Sequence, residues 1–148
     1  MKPQTNLIHE FVEYIPSDLR DNTIYVSIAF ATVMHKCCCG CGNEVVTPLS
    51  PTDWKLIFDG QSISLDPSIG NWSYACQSHY WIKNNRVRWV PRWPKEKINS
   101  GRIHDLLVKE KHYNSEITNV KDSIAGIGES EDNKSKKSFW EKLKNWLF

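Results

Sequence analysis

The 148-residue sequence has no apolar run long enough to cross a bilayer, so no membrane-spanning helix is expected. It does not open with a basic stretch followed by an apolar one, and a secretory leader is not expected either. Charge of one sign is scarce. Nineteen Lys and Arg against seventeen Asp and Glu leave a net +2, which gives no reason to expect a nucleic-acid partner. No internal repeat is evident. There are five cysteines, an odd number, and most are too close together to pair with one another, which argues against a disulfide framework. Together these absences favour a reducing, cytoplasmic location and make a membrane partner unexpected.

Sulfur is concentrated in two places. His35-Lys36-Cys37-Cys38-Cys39-Gly40-Cys41-Gly42 holds four of the five cysteines, and the fifth lies in Cys76-Gln77-Ser78-His79. Thiolates this dense, with glycines that let the backbone turn tightly, point to one zinc ion. Three ligand sets fit the spacing: Cys37, Cys39, Cys41 and Cys76; Cys39, Cys41, Cys76 and His79; or a knuckle built on Cys38 and Cys41. The first closes a tetrahedral site of the structural type and leaves His35 and His79 free. A hydrolytic zinc would keep a position open and want a carboxylate such as Glu44, yet the site is thiolate-rich. The His-x-Glu and Pro-Cys-x-x-Cys pair of thiolate-rich deaminases is missing.

The pattern reads as mainly β (α+β), a small zinc-stapled sheet or partly open barrel of hairpins with a helical C-terminal tail. Phe11, Tyr14 and Ile15 suggest a first strand. The run Thr23 to Phe30 is β-branched and aromatic and leads into the cysteines, and Asn43 to Thr47 makes a strand after them. Hairpins are expected around Asp59-Gly60-Gln61 and across Asn84-Asn85. Most of the seven tryptophans lie between Trp54 and Trp93, where an aromatic core is expected. Residues 1–94 thus form a zinc-binding β domain and 95–117 an extension with one short helix. Residues 118–137 read as a flexible linker. Residues 138–148 read as an amphipathic helix opened by the capping box Ser138-x-x-Glu141, a contact element for this chain or a partner.

Hydrolysis of an amide needs a nucleophile, a base within reach and donors for the oxyanion. Ser68, in Ser64-Leu65-Asp66-Pro67-Ser68-Ile69-Gly70-Asn71-Trp72, lies in a loop-like stretch that can expose it. His79 is the preferred base and His35 a second candidate. Asp66 or Asp59 could orient the imidazole, and the Asn71 amide and the N–H groups around Gly70 could bind the oxyanion. Asp-Pro-Ser and Gly-Asn are also ordinary turn chemistry. Ser78 is a rival nucleophile, held near the metal by Cys76.

The stretch from His35 through Cys37, Cys39, Gly40-Cys41-Gly42-Asn43-Glu44-Val45-Val46-Thr47 to Pro48-Leu49-Ser50-Pro51 resembles a small bacterial family known by a domain of unknown function. Ser64 to Trp72 and Cys76-x-Ser78-His79-Tyr80-Trp81 strengthen the match, which covers about residues 9–90. Members are encoded beside bacterial relatives of ubiquitin and of its activating (E1) and conjugating (E2) enzymes. The resemblance implies a peptidase that matures or removes a ubiquitin-like modifier, with that modifier and those enzymes as partners. Cys38 departs from the family pattern, which leaves Cys37, Cys39, Cys41 and Cys76 as the implied ligands of a structural Zn2+. Two other functions compete: a zinc-stapled adaptor without activity, and a thiol hydrolase using Cys37 or Cys38 with His35 as base.

Overall fold

The computed structural model describes the backbone of residues 3–147 and the side chains of residues 3–124. Eight strands precede one helix: β1 (Ile8–Phe11), β2 (Thr23–Ser27), β3 (Thr32–Lys36), β4 (Glu44–Pro48), β5 (Lys55–Phe58), β6 (Ile63–Gly70), β7 (His79–Lys83), β8 (Arg86–Trp89) and α1 (Lys95–Leu147). They form two four-stranded sheets, ordered β1-β2-β3-β4 and β5-β6-β7-β8. The mainly β architecture is as expected, in two open sheets that are not closed into a barrel. Contacts divide the chain into two units, Met1–Arg102 and Ile103–Phe148. No helix among the described residues is long and apolar enough to cross a membrane.

One core joins the two sheets. Ile24, Val26, Val33 and Val45 enter it from the first, and Ile63, Leu65, Ile69, Tyr80, Ile82 and Val87 from the second. The alternation that buries Val33 and His35 on β3, and Val45 and Thr47 on β4, is the period-2 pattern of a strand with one face inward. The expected tryptophan core is not there. Trp54, Trp72, Trp81 and Trp93 are half-buried and Trp89 is exposed. The space between the sheets is filled by branched aliphatics and Tyr80, with Trp54 packed against that core from a half-buried position.

Both expected hairpins form. Gly60 has φ 93°, and the Asp59 carboxylate accepts the N–H groups of Gln61 and Ser62. Asn84 and Asn85 have φ 48° and 58°, as a two-residue hairpin turn with both central residues left-handed requires. A third hairpin lies inside the run expected as one strand. The chain turns after Ser27, Ala31 takes φ 46°, and β3 returns antiparallel to β2. The first strand stops at Phe11 rather than Ile15 and pairs parallel to β2.

The helix also differs from expectation, since α1 runs over Lys95–Leu147, including the stretch read as a linker. The sequence has no proline after Pro94, and polar residues alone do not break a helix. Thr118 and Ser123 bond back to carbonyls four residues earlier. The apolar face expected at 138–148, with its Ser138 cap, lies outside the residues whose side chains are described.

Candidate active site and metal centre

Strands β6 and β7 carry the first group. Ile69 lies opposite Tyr80 and Gly70 opposite His79. Ile69 and Tyr80 are buried in the core, so their neighbours Ser68, Gly70 and His79 project from the other face of the sheet. The register shifts on the way there: Leu65 faces Ile82, so four steps along β6 match two along β7. Pro67, with no N–H to contribute to the ladder, sits inside this irregularity. The extra chain brings Ser68 beside His79, with Oγ 2.9 Å from Nε2.

The other imidazole nitrogen, Nδ1, lies 3.2 Å from the carbonyl oxygen of Pro91. A carbonyl only accepts, so this contact puts the ring proton on Nδ1 and leaves the Nε2 lone pair for the Ser68 hydroxyl. That tautomer can remove the serine proton. His79 is almost fully buried, and Ser68 is half-exposed. Trp72 and Trp93 flank the imidazole, each ring centroid 5.0 Å from it, and stack on each other at 5.9 Å. A Cβ on Gly70 would come within 2.4 Å of the Trp72 indole, so the absence of a side chain there lets the ring lie close.

Other expected members of this group are elsewhere. Asp66 is exposed and lies 4.0 Å from Lys83 Nζ, with no bond to His79. Asp59 is committed to its turn. The Asn71 amide donates to Ser78 Oγ at 2.9 Å and lies 3.4 Å from the Tyr80 hydroxyl and 3.6 Å from Cys37 Sγ, so it is directed at the sulfur cluster and away from Ser68. His35 is fully buried, with Nε2 2.9 Å from the Tyr80 hydroxyl and no partner for Nδ1. Burial lowers its pKa to about 4, which keeps it neutral, and no contact joins it to Ser68. The sequence offered no signal for the Pro91 carbonyl, a main-chain group 12 residues beyond His79.

The second group lies between the end of β3, the start of β4 and the segment before β7. The Sγ atoms of Cys37, Cys39, Cys41 and Cys76 are all within 4.8 Å of one another and could hold a metal ion. Cys37 is 3.4 Å from Cys39 and 3.9 Å from Cys76, and Cys41 is 3.9 Å from Cys76. Neither His79 nor Cys38 belongs to this set. Donors surround it: Asn43 Nδ2 lies 3.2 Å from Cys41 Sγ, and the Ser78 hydroxyl 3.1 Å from Cys37 Sγ. Burial pushes the Cys37 and Cys39 thiols up. For Cys76, burial acts upward too, but hydrogen bonds from the Ser78 N–H and hydroxyl and from Cys39 and Cys37 together outweigh it and bring the thiol down to about 7. Cys38 is buried, its thiol pushed up to about 12, and is a neutral core residue, unsuited as a nucleophile. Ser78 is buried among the sulfurs, so the two serines divide between the two groups.

A family model described as bacterial ubiquitination-like system serine protease (BubE) matches residues 11–90. The chain belongs to the BubE family. No curated protein and no solved structure matches it significantly. The BubE match takes in Ser68, His79 and all four cysteines, from β1's last residue to the residue after β8; Pro91, Trp93 and α1 lie beyond it. A serine protease of a ubiquitination-like system is therefore the family context in which the Ser68–His79 pair and the four cysteines stand.

Proposed function

We propose that this BubE-family chain is a serine peptidase that cuts after the tail of a ubiquitin-like modifier, with Ser68 as nucleophile and His79 as base. The observation that carries the reading is the 2.9 Å contact between Ser68 Oγ and His79 Nε2, in the tautomer set by the Pro91 carbonyl. His79 takes the hydroxyl proton as Oγ attacks the carbonyl carbon. The acyl-enzyme forms when the C–N bond breaks and the imidazolium returns that proton to the leaving amine. Water, deprotonated by the same nitrogen, then releases the acid. The Pro91 carbonyl fills the orienting role usually given to a carboxylate. Being neutral, it fixes the ring but stabilises the imidazolium less.

The four cysteines suit structural zinc. A tetrahedron with Zn–S of about 2.3 Å has edges of about 3.8 Å. The three short S–S separations, 3.4, 3.9 and 3.9 Å, bracket that value. Four thiolates leave no open position, so the ion staples the chain and takes no part in the chemistry. Its place in catalysis is indirect: Cys37 and Cys76 hold Ser78, the neighbour of His79. Free thiols and a ubiquitin-like partner fit a cytoplasmic enzyme working beside conjugating enzymes.

The test is incubation of the purified chain with a ubiquitin-like modifier encoded beside it, carrying a reporter protein on its tail. Wild type should release the reporter. Ser68→Ala and His79→Ala should each lower the rate by about 10³-fold or more with zinc and fold retained. Binding without cleavage by wild type would favour the adaptor reading. Cleavage that survives Ser68→Ala would place the nucleophile elsewhere.

A further inference from the structure

Strand β6 is paired on both sides for only part of its length. β5 accompanies it from Phe58 opposite Ile63 to Lys55 opposite Asp66. Past Asp66, no strand among the described residues pairs with β6 on that side, and Ser68 lies in this open stretch. The direction of the main-chain groups follows from the neighbours. Val90 N–H donates to His79 C=O, so His79 faces β8 and Tyr80 faces β6. Asn71 N–H donates to Ser78 C=O. Main-chain groups alternate sides along a strand, so Ile69 and Asn71 bond toward β7, and the N–H and C=O of Ser68 and Gly70 point to the open side. A row of unpaired strand groups is a template for another strand.

Just beyond, Gly70, Asn71, Trp72, Ser73, Tyr74 and Arg102 line a cavity of about 310 Å³. Arg102 is exposed, and its guanidinium reaches only the Ser73 hydroxyl, at 3.4 Å. No carboxylate pairs with it among the described residues. The cavity thus holds a cation without a counter-ion, next to a main-chain edge without a partner strand. A forked guanidinium is matched to a carboxylate.

We propose that the open edge of β6 at Ser68 and Gly70 receives an extended peptide as an added strand, and that Arg102 binds an acidic side chain of that peptide. The inference rests on the peptidase reading for its purpose, since a peptide paired here runs past the Ser68 hydroxyl. Main-chain pairing supplies affinity without regard to sequence, and the acid supplies selectivity.

The experiment uses the full-length Ser68→Ala protein, so docking is read without turnover. The probes are acetylated hexapeptides of glycine, alanine and serine with one glutamate stepped through the positions, and a matching glutamine set. Binding is followed by titration of the Gly70 amide resonance. At one position glutamate should bind at least about tenfold tighter than glutamine, and adding Arg102→Gln should remove that preference. N-methylation of the best peptide should weaken binding about tenfold at alternate positions only, as strand pairing requires. No binding, equal binding of the two sets, or a Gly70 amide unmoved at saturation would overturn the proposal. Failure of the peptidase reading looks different: wild-type cleavage would then survive Ser68→Ala whatever the hexapeptides do.

Discussion

Replacing Tyr80 by Phe removes one oxygen from a fully buried network, and the structure gives the expected cost. That hydroxyl lies 2.9 Å from His35 Nε2, 3.4 Å from Asn71 Nδ2 and 3.5 Å from Cys38 N. Asn71 keeps Ser78 Oγ as a partner. His35 keeps none, because its Nδ1 is already unpaired. A buried polar group left without a partner costs roughly 1–3 kcal/mol, and the long bond from the Cys38 N–H adds a fraction of that. Tyr80→Phe should therefore destabilise the fold by about 1.5–4 kcal/mol. Adding His35→Leu takes away the stranded imidazole, so the double variant should be more stable than Tyr80→Phe alone, by roughly 1–2 kcal/mol. In the wild-type background His35→Leu should instead destabilise. Urea unfolding at constant zinc content, with unchanged slope, measures all four corners of the cycle. His35→Leu should also leave turnover within about threefold, since the ring is in the core and away from Ser68. The reasoning fails if His35→Leu has the same sign in both backgrounds, or if Tyr80→Phe costs under about 0.5 kcal/mol.

The remaining expectations are simpler. Elemental analysis should give one zinc per chain, and chelation or Cys39→Ser should unfold the β domain together with its loss of metal; a metal-free, well-folded preparation would contradict this. Asp66→Asn should leave the cleavage rate within about twofold, because that carboxylate is exposed and turned to Lys83; a loss of tenfold or more would return it to the site. The Asp59 carboxyl is held down at about 2, from an ordinary 3.8, by the N–H groups of Gln61 and Ser62. Its stabilisation is present above 3.8 and is lost as pH falls from there through about 2. The melting-temperature gap between wild type and Asp59→Ala should therefore narrow over that interval, and a gap that is constant or widens would refute the assignment.

What the sequence disclosed divides along physical lines. Sulfur spacing limited the candidate metal ligands, because few geometries let Cys37, Cys39 and Cys41 approach one point with Cys76. Turn chemistry at Asp59-Gly60 and Asn84-Asn85 is local, and both hairpins were legible from two or three residues. The Ser68–His79 contact was legible as a pairing of residue types, but its geometry depends on the register shift between Leu65 and Ile69, a tertiary event. The contact of His79 with the Pro91 carbonyl was hidden for a different reason. A main-chain carbonyl carries no residue identity, whereas residue type points to the carboxylates of Asp66 and Asp59, which face other partners. Asn71 misled similarly: its place after Gly70 fits an oxyanion donor, yet its amide turns inward, where burial beside Ser78 and Cys37 gives it partners. The tryptophans drew attention by number, but volume decides what fits between two sheets, and branched aliphatics fill that space.

The central claim is that Ser68, activated by His79, is the nucleophile. It is tested most directly by intact-mass and peptide mass spectrometry of the wild-type protein after reaction with a fluorophosphonate. The account predicts one adduct per chain, located on Ser68, and about 10²-fold slower labelling or more in His79→Ala, with zinc still bound. An adduct on Ser78 or on a cysteine, or labelling of Ser68 at an unchanged rate without His79, would contradict it.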